Sequence, residues 1–248
     1  MKIPCFWEHN RGDTLLYAVD LPGAFTRGES LPAAITKMPA EIKSYLAWRG
    51  DPVPDLIEIV IAEEKESELD IRDADSDAIF DSEKAPLTRE EYEMLKALAL
   101  RSAKDLLALY ESIPDKDAGL SPIRKTFYGQ VPHTAREMYV HTKSVNAYYF
   151  GEIGVEADNE GDIYTCRKHG FEALEARPDF LQKPVIEGSY GEYWSLRKML
   201  RRFIWHDRIH ARAMWRGAVR VFGAENVVNS LFFLKLKLKF TGKRIWAM

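Results

Sequence analysis

The stretch LRKMLRRFIWHDRIHARAMWRG, residues 196–217, decides the fold of the second half of this chain. Read in alternating steps of three and four, it contains one apolar stripe that only two histidines interrupt. The stripe consists of Leu196, Met199, Phe203, His206, His210, Ala213 and Gly217. This period is that of an amphipathic helix, and it predicts that His206 and His210 point inward from one helix face.

Two earlier segments carry the same helical period. The first stripe consists of Thr134, Met138, His141, Val145 and Tyr148, and it places His141 at a central inward position. The second consists of Tyr92, Leu95, Ala99, Ser102, Leu106, Leu109 and Ile113. Three helices with apolar stripes predict a helical bundle, and bundles build metal sites from side chains on facing helices.

The three inward histidines admit two interpretations. They could be core residues, each hydrogen-bonded to a neighbouring hydroxyl such as that of Tyr148, Thr142 or Tyr92. They could also converge on one divalent metal, although an H-x-x-x-H spacing alone is a weak motif. Burying three imidazoles without a shared cation leaves several polar groups unpaired, so the pattern favours a metal site formed by His141, His206 and His210.

Two carboxylates lie close enough in sequence to hydrogen-bond to the ring nitrogens that do not bind the metal. Asp207 is adjacent to His206, and Glu137 precedes His141 by one helical turn. A carboxylate that accepts the second ring N–H of a ligating histidine fixes the orientation of that ring. The alternative for both residues is a solvated charge on a helix face.

The segment REMYVHTKSVNAYYF, residues 136–150, resembles the second helix of the DinB-like and YfiT-like metal-dependent hydrolase superfamily. Residues 194–215 resemble the fourth helix of that superfamily, and the resemblance covers about residues 87–228. It implies an up-down four-helix bundle in which His141, His206 and His210 ligate one divalent ion, with zinc or nickel foremost. It also implies hydrolysis or thiol-dependent transfer or isomerisation, but it leaves the small-molecule substrate open.

The first 62 residues show a different pattern, in which short predicted strands surround one predicted helix. Residues 15–21 and 24–27 are predicted strands around a Pro22-Gly23 turn, residues 31–48 are helical in composition, and residues 56–62 form a further strand. This order predicts an α+β module, in which Pro39 is expected to break or restart the helix. The segment YAVDLPGAFTRGESLPAAI, residues 17–35, resembles the HicB-like antitoxin fold. A small structural α+β domain is the alternative interpretation.

Charge separates the two halves of the chain. Residues 1–87 contain 9 Lys or Arg against 18 Asp or Glu, whereas the remainder contains 26 against 20. Much of the acidity lies in residues 63–83, which predict an exposed linker or loosely ordered lobe that separates two cores and ends near Pro86. Thr88 and Glu91 then predict a capping box at the start of the first bundle helix. The predicted units are residues 1–62, 63–86, 87–230 and 231–248.

The C-terminal segment LKLKLKF, residues 234–240, alternates strictly between apolar and basic residues. This alternation predicts a strand, and we expect it to pair with the N-terminal sheet, either in the same chain or across a homodimer. The basic tail also admits a nucleic-acid interpretation. The net charge of −3 and the acidic N-terminal half argue against nucleic-acid binding.

Composition indicates an ordinary globular protein, with 46% hydrophobic and 29% charged residues. The first residues lack the pattern of a signal peptide, and no apolar run reaches membrane-spanning length. Cys5 and Cys166 are predicted to be free thiols, which makes a cytoplasmic location the expectation. The sequence thus predicts a metal-dependent enzyme; the alternative is a regulatory protein whose N-terminal module binds a protein partner and whose metal is structural.

Overall fold

The computed structural model describes residues 1–10, 12–126 and 129–234, and it has a mixed α/β architecture. A four-stranded sheet and the first of five described α-helices come first, and the other four helices follow. The main strands are β1 (Lys2–Asn10), β2 (Asp13–Ala18), β3 (Phe25–Gly28) and β4 (Glu58–Glu66). The helices are α1 (Leu31–Arg49), α2 (Arg89–Ser112), α3 (Ala135–Glu152), α4 (Ile163–Glu175) and α5 (Leu196–Phe222).

The sheet has the order β3-β2-β1-β4, in which β1 runs antiparallel to β2 and parallel to β4. Strand β1 is a central strand that the sequence patterns did not predict. It buries Ile3, Cys5, Phe6 and Glu8, so both of its faces contact protein. A strand buried on both faces loses the alternation of apolar and polar residues that marks a half-exposed strand.

Helix α1 is continuous through Pro39, contrary to the expected break. A proline within a helix removes one backbone hydrogen bond and costs about 3 kcal/mol. On either side of it, Met38 and Ile42 are completely buried in the core that α1 shares with the sheet. The packing of both halves of the helix therefore outweighs the local cost of Pro39.

Helices α2, α3, α4 and α5 pack against one another, with α5 in contact with both α2 and α3. The predicted capping box of α2 is confirmed, because Glu91 N–H donates to Thr88 Oγ1 (3.2 Å) and Thr88 N–H donates to a Glu91 carboxylate oxygen (2.9 Å). Helix α4 begins at Ile163, where the Asp162 side chain caps it by accepting two backbone N–H groups.

The acidic segment is not a freely exposed linker, because buried residues at intervals along it pack against the rest of the protein. Strand β4 extends through Glu66, and the segment then places Ile71, Ala78 and Phe80 in a buried cluster with Trp205 of α5. These few apolar residues anchor the polar segment to the protein. Composition alone does not reveal such anchoring, because it averages over the whole segment. The division of the chain into separately folding domains remains a prediction.

Buried ion pairs attach this segment and helix α1 to α5. Arg201 Nε lies 2.5 Å from a Glu83 carboxylate oxygen, and both side chains are almost fully buried. Arg208 donates to Glu41 of α1 over 3.0 Å. Helix α5 is therefore the common element on which the sheet region and the other helices meet.

Two minor pairs of strands lie outside the main sheet, β5 (Lys125–Thr126) with β6 (Gly129–Gln130), and β7 (Ile186–Glu187) with β8 (Tyr193–Trp194). The predicted C-terminal strand falls almost entirely outside the described residues, which end at Leu234. Within the described part of the chain, none of the helices is both long enough and apolar enough to span a membrane.

Candidate metal centre

Helices α3 and α5 bring three histidines together. His206 and His210 lie one turn apart on α5, with their Nε2 atoms 3.2 Å from each other. His141 of α3 faces them, and its ring centroid lies 5.2 Å from that of His206 and 4.6 Å from that of His210. One ligand nitrogen from each residue lies within 4.8 Å of the others, so the three histidines are close enough to bind one metal ion.

The three rings differ in exposure, which gives the cluster an open side. His206 is 8% exposed, His210 is half-buried and His141 is exposed. The predicted inward direction of His141 is therefore wrong in part, because the buried face of α3 runs through Thr142 and Tyr149 instead. His141 lies at the edge of that face, where it meets α5 and a solvent-connected cavity.

Desolvation favours the neutral form of these imidazoles. Desolvation is the main cause that lowers the pKa of each ring. The pKa of His210 falls to about 3, and that of His206 falls well below 6.5. The charges that neighbouring histidines would carry contribute to this lowering of the pKa of His206 and His210. Neutral imidazoles present lone pairs, which is the state required of a metal ligand.

Two of the three hydroxyl groups considered as partners for core histidines, those of Thr142 and Tyr92, bond elsewhere. Thr142 Oγ1 donates to the Met138 carbonyl over 2.7 Å, and the Tyr92 hydroxyl donates to Glu175 over 2.9 Å. The Nδ1 atom of His206 is buried without a hydrogen-bond partner in the described structure. A nitrogen donor set of three neutral rings, not individually satisfied by hydroxyls, fits a divalent ion such as zinc.

Neither predicted supporting carboxylate contacts the three histidines among the described hydrogen bonds. Asp207 accepts from Ser102 Oγ at 2.5 Å and pairs with Arg167, so its side chain points away toward α2 and α4. Glu137 caps α3 by accepting the Thr134 N–H at 3.2 Å and also pairs with His133. Adjacent residues on a helix point in different directions, which explains why Asp207 and His206 do not share a partner.

A cavity of about 570 Å³ opens beside the histidines. Its walls come from α3 and α5, from Arg27 of β3 and from residues 73–76 of the acidic segment. The segment before α3 contributes Ser121, Arg124, Thr126 and residues 130–132. The sheet region and the helical region therefore both enclose the site. Most of these wall residues could not be predicted from the sequence. Arg202 is the exception, because it precedes His206 by one turn of α5 and therefore lies on the same helix face.

The fold and the site together define a class: a mixed α/β protein with a three-histidine cluster at the wall of a cavity. No family model, curated protein or solved structure matches this chain.

Proposed function

We propose that the chain is a metal-dependent enzyme of the DinB-like and YfiT-like kind, acting on a small molecule by hydrolysis or thiol-dependent transfer. His141, His206 and His210 would hold one divalent ion, with zinc or nickel as the leading candidates. The observation that supports this proposal is the convergence of three neutral imidazoles at the wall of a cavity. The HicB-like character of the sheet region is a further part of the proposal.

A divalent ion with three protein ligands keeps open positions, and it supplies Lewis acidity to a water, a carbonyl or a thiol. The chain's own residues shape the surroundings of those positions. His206 is set in a buried wall with Tyr149 and Trp205, which restricts water on one side of the site. His141 borders the open side, from which a substrate would approach.

The alternative is a regulatory protein in which the metal is structural. A structural zinc site has four protein ligands and is closed. Among the described residues, the cluster comprises three histidines and adjoins a cavity of about 570 Å³. An open site of this kind supports the enzyme rather than the structural role.

The test is metal analysis of the purified full-length protein and of single alanine variants. We expect one divalent ion per chain in the wild type and its loss in His206→Ala. His169 is exposed on α4, so His169→Ala is the matched control and should retain the ion. Retention of stoichiometric metal after replacement of His141, His206 and His210 together would contradict the proposal.

A second measurement separates an open from a closed site. The Co²⁺-loaded protein should change its visible absorption spectrum when small thiols or acetate are added, because open positions accept exogenous ligands. A spectrum that no added ligand alters would support the structural role.

A further inference from the structure

The walls of the histidine cavity carry an excess of positive charge. Three arginines line it, Arg27, Arg124 and Arg202, against two aspartates, Asp73 and Asp75. A divalent ion at the histidines would add two further positive charges. A concave site with one dominant sign of charge raises the local concentration of ligands of the opposite sign.

The two arginines at the mouth of the cavity come from distant parts of the chain. Arg27 is on β3, and Arg124 precedes β5; both are accessible to solvent. The pKa of Arg27 is lowered. Desolvation by the surrounding protein is the largest cause, and the positive charge of Arg124 is the next. The positive charge of each guanidinium group disfavours the other, and an anion bound between them would relieve that repulsion.

Both side chains are held in place and still have donors to offer. Arg124 Nη1 pairs with an Asp73 oxygen at 2.6 Å, and Arg27 Nη1 donates to the Arg72 carbonyl at 3.4 Å. A guanidinium group has five N–H donors in a planar fork that matches a carboxylate or a phosphate. One described contact each leaves most of these donors available to a ligand.

Arg202 has a different part in the cavity. Its Nη1 atom donates to the Ser76 carbonyl at 2.7 Å, and its guanidinium lies over the rings of Trp194 and Trp205. It is therefore fixed in the wall near His206, and its charge is partly balanced by a Glu192 carboxylate oxygen 4.0 Å away.

We propose that the cavity selects substrates that carry a carboxylate or phosphate group, and that Arg27 and Arg124 hold this group while the reacting end reaches the histidines. This inference rests on the proposed metal site. It assigns the mouth of the cavity a role in recognition, and it identifies the substrate class as small anions with a second functional group.

The test measures anion binding to the Co²⁺-loaded full-length protein by titration of its visible spectrum. Acetate has one carboxylate to offer the metal, malonate has a second for the arginines, and phosphonoacetate has a phosphonate in its place. We expect malonate or phosphonoacetate to bind at least about tenfold more tightly than acetate, as expected for an added charge-assisted hydrogen bond. The stronger of the two identifies the preferred anionic group.

Arg27→Gln and Arg124→Gln should each remove most of that advantage, and each should weaken acetate binding much less than it weakens malonate or phosphonoacetate binding. Arg220 is exposed near the end of α5, so Arg220→Gln is the matched control and should bind all three anions as the wild type does. Arg27→Lys keeps the charge and provides a second variant for the same position.

Two results overturn the inference in distinguishable ways. If Co²⁺ binds but malonate and phosphonoacetate show no advantage that depends on Arg27 or Arg124, the inference alone fails. If Co²⁺ does not bind to the wild type, the proposed function fails, and the inference fails with it.

Discussion

Arg167 of α4 and Asp207 of α5 form an ion pair in which both side chains are completely buried. Arg167 Nη2 lies 3.1 Å from Asp207 Oδ1, and Ser102 of α2 donates to the same carboxylate. Burial is the main influence that raises the pKa of Asp207, and the charge of Arg167 opposes it. Because Asp207 follows His206 directly, this pair joins three helices at the turn that carries the candidate metal ligand.

Breaking the pair from one side should be costly. Arg167→Met leaves the Asp207 carboxylate buried without its cation, and we expect the free energy of unfolding to fall by about 3–5 kcal/mol. Replacing both partners, as Arg167→Met with Asp207→Leu, should recover much of that loss. Urea unfolding measures both effects, with Lys168→Met at an exposed neighbouring position as the control. Equal, small losses in the single and double variants would show that the pair contributes little.

Metal binding should stabilise the folded chain. At a free zinc concentration about 100 times the dissociation constant, linkage predicts a gain of about 2.7 kcal/mol in the free energy of unfolding. Thermal unfolding with and without zinc should therefore show a higher midpoint in the wild type and in His169→Ala. His206→Ala should show no zinc-dependent shift, and an undiminished shift in that variant would place the ion elsewhere.

A second buried carboxyl, that of Glu8 in β1, should make stability depend on pH. Burial raises its pKa from an ordinary 4.5 to about 7, while the hydrogen bond from Ser76 Oγ, at 2.5 Å, opposes the rise. Between pH 4.5 and about pH 7, the Glu8 carboxyl keeps its proton in the folded state but has lost it in the unfolded state. The stabilisation that the protonated Glu8 provides is thus fully present below about pH 4.5 and is lost as pH rises through 7. The free energy of unfolding falls by about 3 kcal/mol at most over this range.

Glu8→Gln tests this assignment, since the amide remains neutral at every pH. We expect the variant to be more stable than the wild type at pH 8 and to lose less stability between pH 5 and pH 8. Glu58→Gln, at an exposed position of β4, is the matched control. An identical pH profile for wild type and Glu8→Gln would assign the dependence to other groups.

The acidic segment should resist protease in the native protein. Lys84 is exposed, but Glu83 beside it is buried against Arg201, and a protease requires local unfolding of the chain around the bond that it cuts. We expect trypsin to spare residues 63–84 in the wild type and to cut there faster in Arg201→Met. Rapid cleavage of the wild type that leaves an intact helical fragment would instead support the separate domains predicted from composition.

Some of this architecture could be predicted because it depends on residues close in sequence. The capping box of α2 joins Thr88 and Glu91, three residues apart, and the pairing of His206 with His210 needs only one helical turn. Helical geometry determines both relationships once the helix forms. The patterns of apolar residues also predicted an α+β first region and a helical second region, in agreement with the mixed α/β structure.

Other features depend on which surfaces meet, and local sequence patterns do not encode that. The position of His141 opposite α5, the partner of Asp207 forty residues away and the burial of Glu83 against Arg201 all arise from packing between distant segments. The cavity is the clearest case, because Arg27 belongs to β3 and reaches the site only when the sheet packs on α5. The sequence by itself determined where helices begin and which of their residues share a face. Only the tertiary structure decided which faces combine into a site. The reason is that burial and charge pairing are properties of the assembled chain.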